Sequence, residues 1–169
     1  MQVRKSNFID DRPPCPVDPT HPIHCHGNYE RFANCNDQKR EGIPRFLCPP
    51  CAHTISVLPD ERLPYRPASV TQVEQYFDAR TNDTDAPPAT EKEKGCLERA
   101  WHSFERRVTV LIAVLGQMIK SVKPNAAKLW KQLRLQSNLH GILLRLARPF
   151  NTSLLRDYRC VKPWPAPSS

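Results

Sequence analysis

Glycine is scarce in this chain, 5 residues in 169 against 18 prolines. That excludes a glycine-rich flexible chain and leaves a stiffly punctuated backbone, with no glycine-rich phosphate loop. Long apolar runs are also missing. The longest, VTVLIAVLGQMI at 108–119, is far short of the roughly 20 residues a membrane helix needs. The opening MQVRKSNFIDDRPPC has no apolar segment of the secretory kind. A cytoplasmic protein without membrane association is the expectation. Hydrophobic residues make up only 39%, low for one large core, so two small units are expected.

Acidic residues are missing from one part alone. Residues 106–169 hold 12 Lys and Arg against the single Asp157, whereas residues 1–105 hold 13 against 16 acids. A basic half beside a near-neutral half points to a polyanion partner, nucleic acid before membrane. The bland alternative is a solvated basic helix surface. No nucleophile–base set and no paired carboxylates stand out, so an enzyme is not expected.

What the chain does have is cysteine: positions 15, 25, 35, 48, 51, 96 and 160. In a cytoplasmic setting these read as thiols or metal ligands rather than disulfides. Five of the seven, with four of the six histidines, fall within residues 15–58. That segment lacks helical period and reads as strands at 23–33, 43–48 and 53–58, with a polar hairpin tip at 34–42. Residues 1–14 read as an irregular arm, and 15–67 as one β domain with its proline-broken exit. A short helix capped by Ser69 is expected over 68–80, then an acidic, proline-rich linker over 81–90.

The strongest helix signal follows. Thr90 and Glu93 form a capping box, and Leu97, Ala100, Trp101, Phe104, Val108, Leu111, Ile112, Leu115, Met118 and Ile119 recur at helical spacing to about Val122. Arg106, Arg107 and Gln117 read as its solvent side. Lys123-Pro124 stops it. Shorter helices are marked by Ala126, Leu129, Trp130 and Leu133, then by Leu139, Ile142, Leu143 and Leu146, begun by Ser137 or Asn138. A last turn is marked by Leu154, Leu155 and Tyr158. The helical basic domain spans 91–162, and 163–169 is a tail.

Cys48-Pro49-Pro50-Cys51 is a good half of a zinc site, because a CxxC turn aims two sulfurs at one ion. A redox CxxC would open a helix, and no helical pattern follows Cys51 closely. The other half begins at Cys15. A second cysteine is expected at position 18, where Asp18 stands. The fourth ligand is then His21 or Cys25, with His24, His26 or Asp18 weaker, and spacing does not separate the first two. Cys35, Cys96 and Cys160 read as free thiols. His102 and His140 read as surface or half-buried histidines.

The stretches C-P, HCHGNYER and IPRFLCPPCAHTISVLPDERLPYRP resemble the N-terminal zinc ribbon of bacterial insertion-sequence transposases and transposase-like proteins of unknown function. The matching positions are Cys15 and Pro16; Gly27, Tyr29 and Arg31; Arg45, Phe46, Cys48, Cys51, Thr54 and Ser56; and Leu63, Pro64, Tyr65 and Arg66. The likeness covers about residues 13–67. It implies a structural Zn2+ and a DNA-recognition role. The RNase H-like core that strand transfer needs has no counterpart in residues 106–169, where Asp157 is the only acid. The expectation is therefore an accessory protein or a truncated remnant of a mobile element.

Together these readings give an α+β chain, a zinc β-ribbon followed by a basic, mainly α-helical part. The leading function is non-catalytic binding of double-stranded DNA. Arg31, Lys39, Arg40 and Arg45 of the ribbon, with Lys128, Lys131, Arg134, Arg145 and Arg148 of the helices, are the expected phosphate contacts. The alternative is a protein–protein adaptor docking through the ribbon and helix 91–122. That helix is also the expected surface for a homodimer or a transposase partner.

Overall fold

The chain is an α+β protein, a small antiparallel sheet followed by four helices. The computed structural model describes residues 12–36, 39–64, 66–116, 124–150 and 152–156, with backbone alone at 147–150. Most of the expected arm, the tail, Tyr65, Gln117, Met118, Ile119, Asp157, Tyr158, Cys160 and Lys162 lie outside the described residues.

Strands β1 (His24–Phe32), β2 (Arg40–Cys48) and β3 (His53–Ser56) lie in the order β1-β2-β3. The β1–β2 hairpin is closed by the amide of Ala33 donating to the carbonyl of Lys39 at 2.9 Å. β2 begins earlier than the pattern 43–48 predicts, because Arg40, Glu41 and Gly42 continue the ladder opposite Phe32, Arg31 and Glu30. A polar hairpin tip and a polar edge look alike in sequence, and only the pairing tells them apart. Pro44 sits in the central strand, where a missing N–H is normally excluded. It pairs with Asn28, next to the register shift between Cys25 and Asn28. Gly27, inside that shift, takes φ +90, which a side chain would disfavour.

The sheet has little to pack on. Its buried cluster is Cys15, Ile23, Phe46 and Cys48, with Val17, Cys51 and Ile55 against it. Three of those seven are cysteines, so the apolar core is too small to hold this unit folded by itself.

The helices form the main core. α1 (Val70–Asn82) starts at Ser69, whose hydroxyl accepts from Gln72 N while the Gln72 side chain accepts from Ser69 N. It ends in Asp83 at φ 55. α1 thus runs two residues into the predicted linker. It also sits at the centre of the helical core and packs on every other helix, where a short connector helix is predicted. Phe77 is the reason. Fully buried, it meets Trp101 at 4.9 Å, Trp130 at 5.1 Å and Phe104 at 5.4 Å between ring centroids. Two of the three contacts are edge-on, the arrangement ring quadrupoles favour.

α2 (Glu91–Leu115) carries the predicted capping box, Thr90 with Glu93. Leu97, Ala100, Trp101, Phe104, Val108, Leu111 and Leu115 are all buried in the one helical core. Arg106 is exposed as predicted, but Arg107 is not. Its guanidinium is buried and donates to Thr152 Oγ1 at 2.6 Å and to the Ser153 carbonyl at 3.2 Å, tying the segment after α4 to α2. α3 (Ala126–Gln136) is capped by Asn125. Two residues later α4 (Leu139–Phe150) begins, with Asn138 Oδ1 accepting from Gly141 N at 2.9 Å. No described helix is long and apolar enough to cross a membrane.

Candidate metal centre

The turn between β2 and β3 places Cys48 at the end of one strand and Cys51 just before the other. Ala52 N donates to Pro49 O at 3.2 Å, and Ala52 takes φ 51 to return the chain into β3. This tight turn directs both sulfurs toward the segment before β1. There Cys15 is fully buried, and a second turn follows it, with His21 N donating to Asp18 O at 3.0 Å.

Cys15, His21, Cys48 and Cys51 converge, their ligand atoms all within 4.8 Å of one another, close enough to hold a metal ion. Cys15 Sγ lies 3.7 Å from Cys51 Sγ and 3.8 Å from His21 Nδ1. His21 Nδ1 lies 3.2 Å from Cys51 Sγ and 3.7 Å from Cys48 Sγ. A tetrahedron around an ion with metal–ligand bonds of about 2.0–2.3 Å has edges of roughly 3.3–3.8 Å. The four separations given are close to such edges, and all four donor atoms lie near enough together to hold one ion.

His21 supplies the nitrogen, and Cys25, the other candidate from spacing, is exposed on β1. His24 and His26 are exposed on the same strand. Asp18 does not join the cluster. Its carboxylate lies 3.5 Å from His21 Nε2, on the far side of the ring from the sulfurs. Its other oxygen accepts from Thr20 N at 2.9 Å and Thr20 Oγ1 at 2.7 Å. The Thr20 hydroxyl, then the Thr20 amide, hold the Asp18 carboxyl below its ordinary value. A carboxylate in this place can orient the imidazole, as outer-shell carboxylates do in metal sites.

The cluster's electrostatics suit a cation. Burial pushes the Cys15 thiol up, but the amides of Asp18 and Val17, with Cys48 and His21, outweigh it and bring the thiol down to about 6. The Val17 amide donates to Cys15 Sγ at 3.4 Å. Cys51 goes the other way, pushed up to about 12 by burial and by Cys48 and Cys15 beside it. One thiolate is thus welcomed by backbone donors. Further thiolates repel one another until a positive ion neutralises them.

The residues that carry the ribbon motif are largely engaged in holding the fold. Arg31 donates to the Leu63 carbonyl at 3.2 Å and to the Arg66 carbonyl, and its side chain is 12% exposed. Arg62 in turn pairs with Glu41 at 3.0 Å, and Arg66 donates to Ser103 on α2 at 2.7 Å. The exit Leu63 to Arg66 is thus bound back onto the sheet and forward onto the helices. Arg45 lies over the Tyr29 ring and donates to Thr54 Oγ1 at 3.1 Å. Arg40 is exposed, pairs with Glu30 at 3.7 Å and covers the Phe32 ring. Lys39 is exposed at the hairpin tip.

The basic residues of the helices divide similarly. Arg134 is bound to α1, 3.1 Å from Glu74 Oε2 and 3.2 Å from both oxygens of Asp78. Trp130 Nε1 donates to the same Asp78 at 2.7 Å. Glu74 also accepts from Leu139 N, at the first residue of α4. Lys128 and Lys131 are exposed on α3, and Arg145, exposed on α4, donates to the neutral Gln136 amide oxygen at 3.3 Å. Arg148 falls in the last turn of α4, and its side chain lies outside the described residues. His102 is exposed beside Glu105 at 2.9 Å.

No protein family, no curated protein and no solved structure matches the chain. The likeness to transposase zinc ribbons therefore stands on its motif residues alone.

Proposed function

We propose that the chain is a zinc-stabilised, non-catalytic DNA-binding protein. Three thiolates and one imidazole in a closed tetrahedron are the donor set of a structural zinc site, and softer than calcium or magnesium sites require. All four positions come from the protein, which favours a folding role for the ion. The motif likeness to transposase ribbons gives the proposal its form, an accessory protein of a mobile element.

One observation carries the DNA reading. α3 and α4 contain no Asp or Glu, while Lys128 and Lys131 are exposed at i and i+3 on α3 with Arg145 exposed on α4. Exposed bases on helices that carry no acid of their own attract phosphates. Arg31 and Arg134 have no part in this proposal, because their charges serve the fold.

A second reading draws on Leu135, 87% exposed beside a groove lined by Thr81, Asn82, Trp130 and Lys131. An adaptor would use that edge for a protein partner. Fluorescence anisotropy of labelled duplex DNA at several salt concentrations separates the two. DNA binding whose log affinity falls steeply with log salt, with a slope lessened by about 2 when Lys128 and Lys131 are both replaced by Ala, supports the proposal. No binding at low salt sinks it and favours the adaptor.

A further inference from the structure

Cys35 and Cys96 stand far apart in sequence and share no spacing pattern, so each reads as a free thiol when taken alone. The fold brings them together. Cys35 lies in the loop at the tip of the β1–β2 hairpin, half-buried against the helical core. Cys96 is in the second turn of α2, 2% exposed and part of that core. Cys35 packs against the cluster that contains Cys96, Cys96 is a neighbouring group that acts on the Cys35 thiol, and both are free thiols.

The contact is held from both sides. The neighbouring Asn36 accepts from the Thr90 hydroxyl at 2.6 Å, and its own amide donates to Asn34 Oδ1 at 2.8 Å. The same Thr90 hydroxyl donates to Glu93, one turn before Cys96 on α2, at 3.0 Å. Glu93 is fixed in turn by Gln72 of α1, which donates to it at 2.9 Å. Hairpin tip, helix start and central helix thus converge around two sulfurs. None of this belongs to the metal centre.

We propose that Cys35 and Cys96 form an oxidant-responsive thiol pair whose disulfide clamps the hairpin tip of the ribbon onto α2. With a peroxide as oxidant, the Cys35 thiolate attacks one peroxide oxygen. The O–O bond breaks, water leaves after protonation, and Cys35 becomes a sulfenic acid. The Cys96 sulfur then attacks the Cys35 sulfur, the S–O bond breaks, and a second water leaves. The two thiols lose two electrons and two protons, and the peroxide takes both. A small dithiol reverses the step by exchange. Cys35 reacts first because it alone of the pair reaches solvent.

The surroundings set the pace. Burial, then Cys96 beside it and the Glu93 charge, push the Cys35 thiol up to about 12, with Arg99 opposing. Little thiolate exists at neutral pH, so the pair resists casual oxidation and reacts faster as pH rises. The raised value also keeps the Cys35 sulfur protonated and neutral in the reduced protein.

The test uses the full chain loaded with zinc, treated with hydrogen peroxide at pH 7 and at pH 9, then alkylated and digested. The expected result is a Cys35–Cys96 linked peptide, two hydrogens lighter than the reduced pair and abolished by dithiothreitol. It should form about a hundredfold faster at pH 9, because two pH units multiply the thiolate fraction by that factor far below the pKa, and be absent from Cys35→Ser. The linked wild-type chain should melt higher than its reduced form, and Cys35→Ser should show no such gain. Cys25, exposed on β1, reports that oxidant reached the protein. Oxidation of Cys25 with Cys35 and Cys96 still separately alkylated overturns the proposal. A linked peptide forming equally fast in denaturing urea also overturns it, because the fold would then play no part.

Discussion

The carboxylate of Asp18 lies 3.5 Å from Nε2 of His21, while Nδ1 of the same ring faces Cys51 Sγ at 3.2 Å. Asp18, at the position where a cysteine is expected, thus stands behind an imidazole whose other nitrogen joins the cysteine cluster. Replacing Asp18 by Asn should weaken metal binding by about tenfold, at the low end for such outer-shell partners. Competition against a chromophoric chelator measures this, and an unchanged affinity would show that the turn alone orients the imidazole.

Removing the metal should unfold the sheet before the helices. Its buried cluster is small, Cys15, Ile23, Phe46 and Cys48, whereas the helical core is several times larger. Chelation, or Cys48→Ser, should abolish the slow-exchanging amides of β1 and β2 and leave those of α1 and α2 protected. Hydrogen exchange read by mass spectrometry decides it. Loss of protection throughout would mean that the two parts fold as one unit.

Phe77→Ala should cost about 3–5 kcal/mol, the usual range for deleting a fully buried aromatic. The ring touches Trp101, Phe104 and Trp130 from three different directions, so little collapse can refill the space. Urea denaturation followed by tryptophan fluorescence reports it directly, since two of those neighbours are tryptophans.

Arg134 and Lys131 are near neighbours on α3 with opposite expected roles. Arg134→Ala leaves Glu74 and Asp78 without their guanidinium and should destabilise the fold by about 1–3 kcal/mol. It should leave the salt dependence of DNA binding unchanged. Lys131→Ala should leave stability within about 0.5 kcal/mol and lower the salt slope by about 1. If Arg134→Ala lowers the slope instead, phosphate competes successfully with the two carboxylates.

Glu93 links acid stability to the α2 cap. The Thr90 amide, then Asn36, with Thr90 and Gln72 side chains, hold its carboxyl below the ordinary 4.5. The folded state therefore favours the ionised form. Its contribution is fully present above pH 4.5 and is lost as pH falls through the lowered folded value. Glu93→Gln should flatten the stability–pH curve below pH 4.5 while leaving stability higher up only modestly reduced. A curve of unchanged steepness would place the acid sensitivity elsewhere.

Much of the local structure was legible in the residues themselves. Ser69 and Thr90 announce helix starts because their hydroxyls satisfy the first free amides. The stripe from Leu97 to Leu115 announces a buried helix face because its period matches the helical turn. Cys48 and Cys51 announce half a metal site because two residues suffice to form a sulfur-directing turn. These are short-range matters, settled within a few residues of chain.

What the tertiary structure alone decided lies at longer range. Whether His21 or Cys25 completes the cluster depends on how the segment before β1 folds over the β2–β3 turn. Whether Arg134 faces solvent or Glu74 and Asp78 depends on α1 packing at the centre, and Phe77 drives that packing through three rings scattered along the chain. Arg31 and Arg107 carry the same charge as Lys128, yet they are spent on carbonyls and a hydroxyl inside the fold. Cys35 and Cys96 meet only because the hairpin tip docks on the start of α2. A charge or a thiol states its chemistry in the sequence. Its partner is set by where the core draws the chain, and the core forms from contacts that no local pattern encodes.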